Sequence, residues 1–209
     1  MIDNFNLIKS LIDFNEKDEL FFYLQIIRRG KDHKNLPSAN KVIKDYYIQS
    51  ASSLDKLKDD IIYLCELFKA RAYINVNSKS FSQLAKLAAF KLSERIYNGD
   101  VKKIYKIFSS AAGELKSNNQ KWIVDIDNMD LVNPVINKII SIWKTCDSEI
   151  HENSYYENKI ILKVPTKSGL HLITCPFNLL EFKKEFQNVD IHKNNPTVLY
   201  IPNSLKCES

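Results

Sequence analysis

"KWIVDID", residues 121–127, decides how the second half of this chain is read. Trp122, Ile123 and Val124 form a short strand-favouring run, and Asp125 and Asp127 follow with one residue between them. On a strand, residues i and i+2 share one face, with Cα atoms roughly 6.5–7 Å apart. Two carboxylates so placed repel each other unless water or a cation screens them. Two readings stand: a solvated strand end running into a turn, or paired ligands for a divalent ion. Oxygen-only donors of this kind suit Mg2+ or Mn2+.

Downstream, 132–145 has helical apolar spacing, with Val135, Ile139, Ile142 and Trp143 inward, and 146–158 is polar and reads as loop. KIILKVP (159–165) and LHLITCPF (170–177) read as strands joined by a tight Thr166-Lys167-Ser168-Gly169 turn. FNLLEFKKEF (177–186) reads as a short helix and TVLYIP (197–202) as a last strand. The order is therefore strand, helix, strand, strand, helix, strand.

Upstream, 5–14 reads as a short amphipathic helix. ELFFYLQIIRR (19–29) fits a strand or a buried helix, and GKDHKNLPSAN (30–40) is a loop by composition. KDYYIQS (44–50) reads as a strand. A helix capped by Ser52 or Ser53 then runs to about Lys69 on a stripe of Leu54, Leu57, Ile61, Leu64 and Leu67 or Phe68. RAYINVN (71–77) alternates as a second strand. Two further helices, 80–97 and 100–116, make a small inserted helical lobe. The expected fold class is α+β, with a mostly antiparallel sheet and flanking helices. Residues 1–119 form an N-terminal α/β lobe and 120–209 the second half, within one compact domain.

The 209 residues suffice for one good core with an added subdomain. A net charge of +5 tilts mildly toward an acidic partner such as nucleic acid or nucleotides. No run of ~18 apolar residues appears. The acidic N-terminal stretch lacks the basic start and cleavage site of a signal peptide. A cytoplasmic protein with no membrane partner is expected. Cys65, Cys146, Cys175 and Cys207 are scattered, which argues against a disulfide framework or a zinc ribbon, and His33, His151 and His192 lack zinc spacing.

Three further segments carry chemistry. In VPTKSGLHLIT (164–174), Lys167, Ser168 and His171 are donors suited to phosphate oxygens, and Gly169 permits positive φ and close approach of a ligand to the backbone. The alternative is an ordinary hairpin with a half-buried histidine. Asp190 follows an apolar residue and is a candidate third acid; the alternative is a helix-exit loop. Around RAYINVN, Arg71, Tyr73 and Asn75 share a face and Lys79 follows, residues that bind phosphate or stack on bases. The alternative is an edge strand with a solvated face. RRGKDHK (28–34), with Arg28 and Arg29, is a basic loop suited to a nucleic-acid backbone, or simply a solvated one.

Taken in order, these elements resemble the archaeo-eukaryotic primase (AEP, or Prim-Pol) superfamily over about residues 120–205. Its first motif, apolar-Asp-x-Asp, matches Val124-Asp125-Ile126-Asp127. Its second, small-x-His, matches Gly169-Leu170-His171. Its third, apolar-Asp, matches Val189-Asp190. Many members carry an Arg-x-Pro-Gly-Ser/Thr segment soon after, where this chain has Tyr200-Ile201-Pro202-Asn203-Ser204. Tyr200 stands in place of Arg, and the fuller Ser-Gly-x-Gly-x-His form is shortened to Ser-Gly-Leu-His.

The resemblance implies an RRM-like catalytic half and metal-dependent nucleotidyl transfer on a nucleic-acid template. Asp125, Asp127 and Asp190 would hold Mg2+ or Mn2+, and Lys167, Ser168, Gly169 and His171 would bind the nucleotide. Implied partners are nucleotides, a DNA or RNA template, and a helicase or other replication proteins of a phage or mobile element. The alternatives are a non-catalytic nucleic-acid-binding replication-accessory protein, a metal-dependent phosphodiesterase or nuclease using the same acids, and a structural or interaction protein.

Overall fold

A computed structural model describes residues 1–12, 19–33, 39–117, 121–142 and 159–205. The chain begins with β1 (Ile2–Asp3), α1 (Phe5–Lys9), β2 (Leu20–Arg28) and β3 (Lys41–Ile48). Next come α2 (Ala51–Leu67), β4 (Arg71–Asn75), β5 (Lys79–Ser80), α3 (Phe81–Tyr97) and α4 (Ile107–Glu114). The second half contains β6 (Trp122–Ile126), α5 (Val132–Ser141), β7 (Ile160–Pro165), β8 (Leu170–Thr174), α6 (Leu179–Lys183), β9 (Asp190–His192) and β10 (Pro196–Ile201). Trp143, the loop 146–158, Lys34, Cys146, His151 and Cys207 lie outside the described residues. Among the described residues no helix is long and apolar enough to cross a membrane.

The fold class is the expected one, α+β with antiparallel sheets and flanking helices. One sheet runs β1-β10-β4-β2-β3, with β5 paired to the start of β2; the other runs β7-β8-β6-β9. The second sheet with α5 and α6 is a βαββαβ unit of ferredoxin-like, or RRM-like, strand order.

The route of the chain differs from the expected one at its end. The fourth strand of the βαββαβ unit is the three-residue β9, on a segment where no strand is expected. The strand expected to close this unit, β10, instead crosses to the first sheet and inserts between β1 and β4. Thr197 to Ile201 are all buried, as befits a strand with neighbours on both edges. The first lobe is therefore completed by residues from the far end of the chain.

Local chemistry accounts for the helix starts. Ser50, not Ser52 or Ser53, caps α2. Its Oγ accepts from the Ser53 amide at 3.0 Å, and Ser53 Oγ accepts from the Ser50 amide at 3.0 Å, a reciprocal capping box. Cys65 takes the inward position late in α2, while Leu67 and Phe68 are exposed. A 3₁₀ turn at Ile104–Lys106 precedes α4, so the second inserted helix is shorter than expected.

Helices α5 and α6 cover one face of the second sheet, packing on Trp122, Val124, Ile126, Leu170 and Leu172. From its other face, Ile123, Val164 and Ile173 join the cluster that holds Leu24, Ile74 and Leu199 of the first sheet. One core thus runs through both lobes, each buried aliphatic side chain contributing about 1.5–3 kcal/mol. Helices α3 and α4 lie on Phe21 and Tyr23 of β2. Asn77 pins the start of β6 to the end of β4: its Oδ1 accepts from the Lys121 amide at 2.6 Å and its Nδ2 donates to the Lys121 carbonyl at 2.9 Å.

Candidate active site

Period two fixes where the acids of β6 point. Trp122, Val124 and Ile126 face the helices, so Ile123, Asp125 and Asp127 take the opposite face. Ile123 is buried in the shared core, Asp125 is half-buried, and Asp127, just past the strand, is exposed. Here the core gives way to a cleft of about 540 Å³ to which both sheets contribute. The second sheet supplies Asp125, Asp127, Lys167, Ser168, His171 and His192. The first supplies Arg29, Arg71 and Tyr73, with Lys31 and Asn40 from the β2–β3 connection. Asn195 and Pro196, where β9 hands over to β10, complete the wall.

His171 stands opposite Asp125 in the β6–β8 register. Its Nε2 lies 3.4 Å from Asp125 Oδ1, and its Nδ1 lies 2.9 Å from Thr197 Oγ1. Thr197 is fully buried on β10, so the imidazole links the two sheets. The hydrogen bond with His171 holds the Asp125 carboxyl below the usual carboxylate range. Burial works against this, and the nearby charges of His171 and His192 reinforce it.

The turn that carries Lys167 and Ser168 is tied across its base. The Thr166 amide donates to the Gly169 carbonyl at 3.0 Å, and the Gly169 amide donates to Thr166 Oγ1 at 3.1 Å. Gly169 does not have positive φ. Its role is close approach, and what approaches is backbone rather than a ligand: a Cβ there would lie 2.8 Å from Asp127 Cα and nearer still to the Ile126 carbonyl oxygen. Lys167 Nζ donates to the Leu205 carbonyl at 3.3 Å.

Across the cleft, Arg71 and Tyr73 share a face of β4. That strand lies between β10 and β2, inside the sheet rather than at its edge. Arg71 is buried and ion-paired with Asp32, and its Nε and Asp32 Oδ2 are buried without a partner. Arg29 donates from Nη1 to the Tyr73 hydroxyl at 3.3 Å.

Four expected site residues lie outside the cleft lining. Asp190 is in register with Asp125 across β6–β9, hence on the same face, but it is exposed. Gly169 serves the backbone packing described above. Arg28 lines a smaller cavity of about 210 Å³ with His33 and Lys41. Lys79 is no surface residue. It is buried, donates to the Ala112 carbonyl near the end of α4, and sits 5.6 Å from the centre of the Tyr23 ring. Burial pushes its ammonium down to about 8. The inserted helices close over it, which removes it from any nucleic-acid interface. Tyr200 is also buried, donating to Glu66 Oε1 at 2.9 Å.

Lys31 comes from the basic loop 28–34, whereas Asp32, Asn40, His192 and Thr197 join the site without an expectation from sequence. His192 carries a usable signal, since it lies two residues from Asp190 on a strand. Asp32 and Thr197 act through partners 39 and 26 residues away and carry none.

Among the described residues no group of three or more His, Cys, Asp or Glu side chains is placed to hold a metal ion. The donor chemistry nevertheless fits Mg2+ or Mn2+. Mg2+ is commonly held by one or two carboxylates, with water and substrate phosphate completing its shell. Asp125 and Asp127 provide those two on one cleft wall. No family model matches this chain, and neither a curated protein nor a solved structure is significantly similar to it.

Proposed function

We propose that the protein is a metal-dependent nucleotidyltransferase of the primase-polymerase type, joining nucleotides on a nucleic-acid template. One observation carries the proposal. A single cleft brings the carboxylates of Asp125 and Asp127 together with His171, Lys167 and Ser168, and sets Arg29, Lys31 and Arg71 across from them. Acids and cations on facing walls suit a substrate that is itself a polyanion bearing a metal.

Asp125 and Asp127 would hold Mg2+ or Mn2+, with Asp190 available on the neighbouring strand. Such an ion, when bound, would supply Lewis-acid stabilisation at the α-phosphate. The rest is binding and orientation. Arg29, Arg71 and Lys167 meet phosphate oxygens with charge-assisted hydrogen bonds. The Ser168 hydroxyl adds a donor at the rim. His171, fixed between Asp125 and Thr197, keeps the acid wall in register with the first sheet while presenting positive charge to the phosphates when protonated. The 3′-hydroxyl oxygen of a primer or first nucleotide would bond to the α-phosphorus as the bridging bond to the β-phosphate breaks, pyrophosphate leaving and the hydroxyl proton passing to water.

The test is incorporation of labelled nucleotides on a single-stranded template with Mn2+ or Mg2+. Wild type should incorporate, and Asp125→Asn and Asp127→Asn should each lose about 100-fold or more with unchanged circular dichroism. Cleavage of labelled DNA without incorporation would instead identify a phosphodiesterase. A second reading draws on the position of Asp190 outside the cleft lining: a non-catalytic nucleic-acid-binding accessory protein. It predicts salt-sensitive template binding with neither incorporation nor cleavage.

A further inference from the structure

We propose that the outer face of the inserted helical lobe is a platform for single-stranded nucleic acid, distinct from the cleft. Four aromatic side chains stand out from α3, the turn before α4 and the start of α4: Phe90 is 66% exposed, Tyr97 91%, Tyr105 77% and Phe108 60%. None of the four belongs to the core that the lobe makes with β2. Exposed apolar groups concentrated on one lobe mark a partner surface, whereas scattered ones do not.

Charge decides which partner. Residues 86–108 contain six basic side chains (Lys86, Lys91, Arg95, Lys102, Lys103 and Lys106) against two acidic ones, Glu94 and Asp100. That is a net +4, where the whole chain carries +5. Arg95 neutralises Asp100 at 3.5 Å, and Lys91 is engaged by Glu114 at 2.7 Å. Lys86, Lys102, Lys103 and Lys106 have no carboxylate partner among the described residues. Lys106 lies 5.6 Å from the centre of the Tyr105 ring. Rings interleaved with free ammonium groups fit a chain of alternating bases and phosphates. Bases stack on aromatic faces whatever their sequence, and lysines track the backbone. A protein partner for so basic a face would need matching acids in addition to apolar contacts.

The position fits as well. Tyr23, beneath the helices, and Ile27, at the cleft, lie on one face of β2 and about 13 Å apart at the usual strand rise. A strand held on the lobe would lie beside the cleft.

Anisotropy of labelled oligo-dT and oligo-rU with the full chain tests this. The double variant Tyr105→Ala/Phe108→Ala should bind about tenfold or more weakly at fixed salt, the scale of one lost stacking contact. The triple variant Lys102→Ala/Lys103→Ala/Lys106→Ala should lower the slope of log affinity against log salt by roughly 2. The titrations contain neither divalent ion nor nucleotide, so a failed catalytic proposal leaves this one standing. All substituted side chains on the lobe are exposed, and unchanged melting curves confirm folding. Failure of wild type to bind, or wild-type affinity in both lobe variants, overturns the proposal. So does a wild-type dimer that Tyr105→Ala/Phe108→Ala turns into a monomer, or anionic-vesicle binding lost in that variant, if oligonucleotide affinity is unchanged.

Discussion

Replacing Gly169 with alanine tests the packing that positions both walls of the acid site. The added Cβ would lie 2.8 Å from Asp127 Cα and 2.9 Å from the Ile126 carbonyl carbon, where ordinary contact begins at 3.4 Å. Both obstacles are backbone, so no side chain can swing aside. The hairpin between β7 and β8 must retreat from the end of β6 by more than about 0.6 Å, because the Ile126 carbonyl oxygen is nearer still, and overpacking of this kind costs about 1–3 kcal/mol. For a chain of this size each kcal/mol lowers the melting midpoint by about 2–4 °C, so a loss of roughly 2–12 °C is expected. The displacement falls on Asp127 and on the ladder that pairs Asp125 with His171, so function in the cleft should fall with stability. Gly113→Ala is the control. It lies within α4 with nothing near the added atom, and should stabilise by about 0.5–1 kcal/mol. Urea titrations of both variants decide the matter. A Gly169→Ala midpoint at or above wild type would refute the proposed role of the close approach.

Three further outcomes follow from buried or partly buried charges. Asp32→Ala leaves the Arg71 guanidinium buried and unpaired, and should cost about 3–5 kcal/mol in urea unfolding; Asp32→Ala combined with Arg71→Met should recover much of it. Lys79 titrates near 8 when folded and near 10.4 when unfolded, so the unfolded chain binds the extra proton between those values. Stability should therefore rise with pH across that window. The wild-type minus Lys79→Met difference should show the rise, and a flat difference would sink the idea. Asp125 behaves in the opposite sense. Its lowered carboxyl contributes stability above about pH 4, which disappears as pH falls through its folded value, so Asp125→Asn should flatten the acid limb of melting point against pH.

The elements that sequence periodicity reveals are those with one buried face and enough length. Helices α2, α3 and α5 qualify, the alternation of β4 and the short apolar run of β6 mark strands, and with them comes the fold class; β2, buried on both faces, reads equally as a strand or a buried helix. β9 has three residues, too few to display a period. β10 is buried on both faces, so its apolar run reads the same whichever sheet it joins. At the site, Asp125, Asp127, Lys167, Ser168 and His171 were legible from residue type and spacing. Lys79 misled because lysine is rarely buried, and here the inserted helices supply both cover and a carbonyl acceptor. Asp32 became part of the site only through its distant partner Arg71. At Gly169 positive φ is not the need: φ lies outside the left-handed region, and the missing side chain is what matters.

The crossing of β10 into the first sheet has a consequence for synthesis. Ile74 of β4 pairs with Thr197, about 120 residues later in the chain, a separation that at ribosomal speeds of about 5–20 residues per second is a wait of roughly 6–24 s. During that interval β4 has an open edge of backbone donors and acceptors beside apolar Ala72 and Ile74, a template for pairing with other chains. The first lobe is made first and finished last. Contacts this distant in sequence slow folding, so expression at lowered temperature or with chaperones that shield the edge should raise the yield of native protein, and a fragment ending near residue 119 should aggregate.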